Sequence, residues 1–407
     1  MRKLILFLLA LFLISFTPLF GAMDRATIQW FLLSIIPFFF INSPFKIIYF
    51  KNTHFYIYLF FIIQVFLSLI YTNNLSISLV DLSRHLTAFA LVIIFISLFK
   101  STFLSFYYVS LIISLSLLFE TLFSLKPLFN YIYNYGFNFS IIDSLNINQL
   151  RGVAGNRNIT TASIAIKFPF LLYSYFKSKS SYKPLFLVIA LLSSLSLFLI
   201  NSRAALLSFS FFIFLNLLFF ILLHRNQLIQ LFLFYGVFII SYFFSVMILP
   251  NNSSNALDNI KSIKFTSESS NHRFFLWENA VDFISNNLFI GCGIGNWKVE
   301  SALYWSRFGK NYLVPFHAHN DFLEFATELG ILGGLTYLIL FLFILYNFSR
   351  LFYKSMDFKY LVLFLSFLAI SIDSALNFPF ERPLIQIMFI LLLSLSIHYN
   401  TASYEKN

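Results

Sequence analysis

Apolar residues in this chain gather into long runs separated by short polar segments. Twelve runs approach or reach the roughly 17 to 25 residues that a helix needs to cross a bilayer, at 4–20, 28–44, 54–71, 85–99, 102–124, 159–176, 184–200, 204–223, 229–249, 332–349, 360–376 and 383–398. A backbone in hydrocarbon has no water to bond, so such runs must close their own hydrogen bonds as helices. The pattern predicts an all-α polytopic membrane protein with about 12 transmembrane helices. The first run follows Arg2 and Lys3 and precedes "LFGAM", which offers a possible cut, yet it is long for a signal peptide and more spans follow. We read it as a retained helix.

Two polar segments are long enough to hold structure of their own. One covers about 125–158 and the other about 250–331, which divides the chain into 1–249 with nine spans, the large loop 250–331, and 332–407 with three spans and a short tail. Within the large loop "HRFFLWENAVDFI" sets Phe274, Trp277, Ala280, Val281 and Ile284 at helical spacing. This predicts an amphipathic helix over 271–286, with Asn271 as N-cap and Ser269 or Ser270 as rivals. "GCGIGNW" at 291–297 follows no strand and leads into no periodic helix, so it reads as a tight glycine turn rather than a nucleotide loop. A second short helix is predicted from Asn320 to Leu329, with Phe322, Leu323, Phe325, Ala326 and Leu329 on one face and Asp321, Glu324 and Glu328 on another. Gly330 would end it in the αL conformation, and Gly333 and Gly334 would let the next span approach closely.

Composition agrees: 59% of residues are hydrophobic and 11% charged, which excludes an ordinary soluble domain. Charge then orients the spans. With the N-terminus cytoplasmic, the inner segments hold Arg2, Lys3, Lys46, Lys51, Lys100, Lys177, Lys179, Lys183, Arg225, Arg350, Lys354, Lys359 and Lys406 against Asp357 and Glu405, which accounts for the whole net charge of +11. The positive-inside rule therefore predicts both termini in the cytoplasm. The basic balance reflects insertion among membrane lipids and gives no reason to expect a nucleic-acid partner. Cys292 is the single cysteine, so no intramolecular disulfide can form.

"VPFHAHND" at 314–321 concentrates the candidate chemistry. His317, His319 and Asp321 form H-x-H-x-D, which in an extended segment would aim three ligands to one side as a metal site does. The further histidine that such a pattern continues with is replaced by Phe322, and the loop is too short for the soluble hydrolase domain that carries it. The plain alternative is a pair of hydrogen-bonding loop histidines. Glu120 and Asp373 fall inside predicted spans, where acids seek partners, and Lys167 is the cation to test against both.

"HNDFLEFATELGILG" reads His319-Asn320, nine residues, Gly330, two residues, Gly333. It resembles the H-[NSQ]-x9-G-x-x-G signature of bacterial O-antigen ligases, in the domain they share with O-antigen polymerases and O-linking protein oligosaccharyltransferases. "NSRAALLS" at 201–208 resembles the family's S-R-[GA] element, "RFFLWENA" at 273–280 its R-x-x-x-W element, "GCGIGNW" its glycine turn and "RGVAGNRNI" at 151–159 its G-x-x-G-N-x-N element. One departure is Arg157 between Asn156 and Asn158, where the family usually has a small residue or proline. The likeness covers about 150–340.

The resemblance implies a GT-C-like membrane fold whose large periplasmic loop carries short amphipathic helices. It implies transfer of a glycan from an undecaprenyl diphosphate carrier to a hydroxyl of lipid A core or of another glycan, without a cofactor or metal. A departing diphosphate needs fixed cations, for which the planar fork of arginine is suited, and the attacking hydroxyl needs a base that titrates near neutrality. Carried over residue by residue, Arg203 and Arg273 would bind the diphosphate and His319 would be the base. Arg151, Asn158, Trp277, His317 and Asn320 would contact substrate. His317 would also shape the loop, and His272 would face solvent. Bland readings stand beside these: Arg203 snorkelling at a span end, Arg273 paired with Glu278, and Arg151 as an ordinary loop residue. Counting spans puts Arg203, Arg273 and His319 on the extracytoplasmic side, which the resemblance implies is the periplasmic face of a bacterial inner membrane. Polymerase and protein oligosaccharyltransferase remain alternatives to ligase. A transporter would instead keep its polar residues near the midplane.

Overall fold

The computed structural model describes residues 22–40, 52–101, 106–136, 149–248, 273–308 and 316–404, together with Leu8, Phe12 and Ala256. The regular secondary structure of these residues is all helix, with no strand among them. In chain order the helices are α1 (Ala22–Phe40), α2 (Thr53–Leu67), α3 (Leu75–Ser101), α4 (Phe106–Tyr135), α5 (Arg157–Lys177), α6 (Lys183–Ile200), α7 (Arg203–Leu223), α8 (Leu228–Ile248), α9 (Arg273–Asn286), α10 (Trp297–Phe308), α11 (Asp321–Leu329), α12 (Ile331–Ser355), α13 (Phe358–Leu376) and α14 (Pro383–Tyr404). Ten of the elements are long and apolar enough to cross a membrane. The protein is an all-α polytopic membrane protein.

Those ten match ten of the twelve predicted runs. The run 28–44 falls on α1, whose apolar part, Ala26–Phe39, is shorter than a span and contains Pro37. The run 4–20 lies outside the described residues apart from Leu8 and Phe12, and so do Ser269, Ser270, Asn271 and His272. Three boundaries move. Helix α3 begins at Leu75 rather than 85, because Ser76, Ser78, Asp81 and Arg84 interrupt the apolar run without breaking the helix. Helix α4 continues to Tyr135, through Pro127, into the segment read as loop. Helix α10 does follow the glycine turn, contrary to the sequence reading. Its buried face is set by Trp297 and Ser301 while Val299 and Leu303 are exposed, so it has no apolar stripe to announce it.

The helices form two compact units. The first comprises Met1–Gln29, Leu104–Ile263 and Leu351–Ile370 and so contains α4 to α8. Helix α5 is its centre, buried from Ile159 to Tyr175. It carries Lys167, whose Nζ lies 2.7 Å from Glu120 Oε2 with both side chains fully buried. Ser163 Oγ donates to the same oxygen at 3.1 Å. Thr121 and Ser193 meet at 2.9 Å, and Ser194 donates to Ser241 at 2.7 Å. Small hydroxyl side chains let helices in lipid approach closely and bond across the gap.

The second unit comprises Trp30–Phe103, Lys264–Arg350 and Ser371–Asn407. Its central element is α14, buried along most of its length. The short helices α9, α10 and α11 pack by Ala280, Phe283, Cys292, Trp297 and Ala318, with Leu323 against them. Helix α9 lies where the apolar spacing put it and buries Ala280 and Ile284 of the expected face, but it is rotated towards Leu276 and Phe283. Leu276, Ala280, Phe283 and Ile284 are buried, whereas Val281 is exposed. Both sides of the helix are apolar, and the position of Trp297 decides between them, its ring 5.5 Å from that of Phe283.

Candidate active site

The site is built around the start of α11. Asn320 caps the helix, its side chain accepting from Leu323 N at 3.1 Å. At the other end the glycine turn takes over: Cys292 N and Gly293 N donate to Thr327 O at 3.0 Å and Glu328 O at 2.9 Å, satisfying carbonyls that a helix end leaves open. Gly293 and Gly295 have φ of 91° and 74°, which explains the glycines in "GCGIGNW". Gly330 ends α11 with the expected positive φ of 77°, but its ψ of 173° lies outside the αL region. A side chain at Gly334 would collide with Ala326 and Phe322, so the close approach serves α11 against α12.

His319 precedes the cap with φ of 53°, one of three non-glycine residues described in the left-handed region. Histidine tolerates that region better than most residues, at a cost of order 1–3 kcal/mol that neighbours must offset. Glu324 supplies the restraint, one turn into α11. Its Oε1 bonds His317 Nδ1 at 2.8 Å and its Oε2 accepts from Ala318 N at 2.9 Å, so it grips both residues before His319. The other nitrogen of His317, Nε2, lies 3.3 Å from Glu381 Oε2. Phe378 completes the frame, stacked on His317 at 4.1 Å between centroids and meeting His319 edge-on at 4.9 Å.

The two histidines are therefore pushed in opposite directions. Burial opposes a proton on His317, but the carboxylates of Glu324 and Glu381 outweigh it and raise its pKa above 6.5. His319 is pushed the other way, to about 4, by burial first and then by the charges of Arg273, His317 and Arg382. It is a neutral imidazole at neutral pH, and its Nδ1 is buried without a hydrogen-bond partner.

Arg273 donates from Nη2 to Asn377 Oδ1 at 3.0 Å, and Asn377 Nδ2 donates to Asp373 Oδ1 at 2.5 Å. That chain, rather than Glu278, fixes the arginine, and it also gives Asp373 its partner in place of Lys167. Trp277 meets Phe274 edge-on at 5.4 Å, with its indole Nε1 buried and unbonded. His317, His319, Asn320, Arg273 and Trp277 thus all belong to the second unit. Arg203, Arg151 and Asn158 belong to the first. Arg203 opens α7 and is partly buried, while Arg151 and Asn158 are exposed. Asn156 caps α5 through Asn158 N and Ile159 N, and Arg157 donates to Ile200 O at 2.6 Å, where a cation suits the C-terminus of α6.

The trio His317, His319 and Asp321 does not converge as metal ligands would. His317 is held by two carboxylates, and Asp321 turns into the interior, where burial and the neighbouring Glu324 and Asp373 raise its pKa well above the usual range. Asp321 lines a cavity of about 20 Å³ together with Asp81, His85, Glu324, Glu328 and Glu381, room for about one water. Asp321 and Glu328 of the acidic face are thus buried along with Phe325, Ala326 and Leu329 of the apolar one, while Glu324 is half-buried. Glu328 is held there by Trp297 N, which donates to its Oε1 at 3.3 Å.

Sequence reasoning missed Phe378, Asn377, Glu381 and Arg382, and also Asp81 with Arg84, a pair 2.7 Å apart. A signal for the first group existed: "NFPFERP" at 377–383 sets an acid and a base between two prolines in a short link between spans. Strict alternation of spans also puts 72–84, 250–331 and 377–382 on one side, and in the second unit the described residues of 72–84, 273–331 and 377–382 meet.

Comparison with known families falls on the same residues. Residues 188–338 match the family model described as O-Antigen ligase, a segment that holds Arg203, Arg273, Trp277, His317, His319 and Asn320 but not Arg151, Asn158 or the 377–382 link. A domain of this family implies an enzyme that acts on carrier-linked glycans, of ligase or polymerase type. No curated protein matches the chain.

Proposed function

With an O-antigen ligase domain in the chain as the premise, we propose that it transfers a finished glycan from undecaprenyl diphosphate to a hydroxyl of lipid A core, on the periplasmic face of the inner membrane. His319 takes the proton of the attacking hydroxyl. Arg273 and Arg203 hold the diphosphate as the glycosidic bond breaks and negative charge gathers on the leaving oxygen. A single attack opposite the diphosphate inverts the anomeric centre, and no step calls on a metal. Arg151, Asn158, Trp277, His317 and Asn320 line or shape the substrate path.

The observation that carries this reading is a neutral imidazole with an unbonded Nδ1 set among cations. In that field His319 is a weak base. A bound diphosphate would bring compensating negative charge beside those cations and raise the basicity of His319 when a donor is present. The position of Arg203 and Arg273, each opening a helix, supports the reading too, because an anion there would relieve the conflict between a cation and the positive helix end. Two spans, α7 and α8, separate them, which by alternation returns the chain to the same side.

Replacing His319 by Ala should lower transfer by about 10² to 10⁴, and near-normal surface glycan at matched protein level would overturn the assignment. Lipopolysaccharide from a deletion strain separates the two main readings. Loss of all polymer from lipid A core, with polymer held on the carrier, supports ligase, whereas core bearing a single repeat unit would make the enzyme a polymerase.

A further inference from the structure

Glu381 and Arg382 lie side by side in a link whose backbone is fixed at both ends. Pro379 opens a 3-10 turn and Pro383 opens α14. Arg382 N donates to Pro379 O at 2.9 Å, and Arg382 O accepts from Ile385 N at 3.0 Å and Gln386 N at 2.9 Å. The side chain therefore leaves from a rigid base. Its Cζ lies 4.7 Å from the centroid of Phe378, the same ring that meets His319 edge-on at 4.9 Å.

Other cations of this region have polar partners. Arg84 pairs with Asp81 at 2.7 Å, Lys298 with Asp81 at 3.6 Å, and His317 with Glu324 and Glu381. Arg382 does not. Both oxygens of Glu381 are engaged, one by His317 at 3.3 Å and one by Arg84 at 3.6 Å. No carboxylate among the described residues pairs with the Arg382 guanidinium, and its Nε is buried without a hydrogen-bond partner. Glu381 and Glu324 act on this half-buried cation only through space, without a direct ion pair, and an anionic ligand would supply the direct partner that the guanidinium lacks.

We propose that Arg382 is a further cation of the donor subsite, binding phosphate oxygens of the carrier diphosphate beside His319. The proposal rests on the diphosphate-donor reading above. Stacking leaves the edge N–H groups of a guanidinium free for bidentate contact with phosphate, which Lys cannot reproduce. The residue lies outside the segment 188–338, so the family match does not supply it.

The rival is a purely structural cation–π contact with Phe378. The full chain in nanodiscs separates the two, using Arg382→Gln and Arg382→Lys with the donor and acceptor varied in turn, and with binding of undecaprenyl diphosphate alone measured in parallel. The proposal expects Arg382→Gln to raise the donor KM and the Kd for undecaprenyl diphosphate by about tenfold or more with the acceptor KM unchanged. Arg382→Lys should recover part of each. A structural contact would lower the melting temperature and leave both donor constants in place, which overturns the proposal. An increase confined to the acceptor KM overturns it as well, since the phosphate read would then be the acceptor's. If Arg382→Gln does not fold, wild-type affinity in Arg382→Lys has the same force. Should the wild type bind undecaprenyl diphosphate yet transfer no glycan, the functional reading fails while the binding measurement still decides Arg382.

Discussion

Glu324 holds the backbone that sets His319, and removing it is the sharpest test of how the site is positioned. In Glu324→Ala the buried Ala318 N–H loses its acceptor, and His317 loses the nearer of its two carboxylates. An orphaned buried donor costs about 1–3 kcal/mol and a lost charge-assisted bond about 1.5–3 kcal/mol. The two share one side chain and relax together, so the sum is an upper bound and about 2–4 kcal/mol of local stability is the expected loss. His319 at φ of 53° is held by this clamp and by the Asn320 cap, and release lets it fall back to negative φ. Transfer should then drop about 10- to 100-fold, on the view that the lost bond is worth about 1.5–3 kcal/mol to the reacting geometry. Glu324→Gln keeps an acceptor for Ala318 N–H but not the charge, so it should keep most of the melting temperature while still slowing transfer. It should also let His317 deprotonate at a lower pH, a signature that loss of packing alone would not produce. Glycan transfer in nanodiscs, melting curves and a pH profile of both variants check this. A Glu324→Ala protein with wild-type rate and wild-type melting would refute the clamp.

Asparagine tolerates positive φ as well as histidine does, so His319→Asn should melt like the wild type while losing about 10² or more in rate; melting and transfer measured on one preparation decide it. The pH profile of kcat/KM should fall on the acid side as His319 protonates near 4, and on the alkaline side as His317 loses its proton above 6.5. Stability follows the same signs. The raised pKa of His317 contributes stability that is present below 6.5 and lost as pH rises through its folded value, whereas the lowered pKa of His319 costs stability as pH falls from 6.5 towards 4. His317→Gln should remove the alkaline loss and raise the acid limb, because one cation beside His319 is gone; an unchanged profile would contradict the charge assignment. In the first unit, Lys167→Ala leaves Glu120 buried without its counter-charge, bonded only by Ser163, and should cost about 3–5 kcal/mol, while Lys167→Met with Glu120→Gln should recover most of that; detergent melting of the single and double variants is the check.

The helices were legible because a bilayer demands long apolar runs, and ten of those runs fall on observed spans, with α3 starting and α4 ending about ten residues beyond the predicted limits. What escaped notice were polar stretches that remain helical. Asp81 and Arg84 interrupt the hydropathy of α3 but sit on a helical face that meets Lys298 and Glu381, so average hydropathy placed them in a loop. Helix α9 was found with its buried face partly right, Ala280 and Ile284 inward as expected, but rotated towards Leu276 and Phe283 and away from Val281, a choice that its neighbour Trp297 makes. His319 and Asn320 were legible because cap and base are local, within one short pattern. Glu381, Arg382 and Phe378 were not, because they reach His317 and His319 from some sixty residues downstream and no periodicity crosses that distance. The alternation of spans does cross it: 72–84, 250–331 and 377–382 must lie on one side whatever their sequence. Searching that set for charges that balance would have brought His317 to Glu381, and would have set Arg382 beside them as a cation that has no direct ion pair among the described residues.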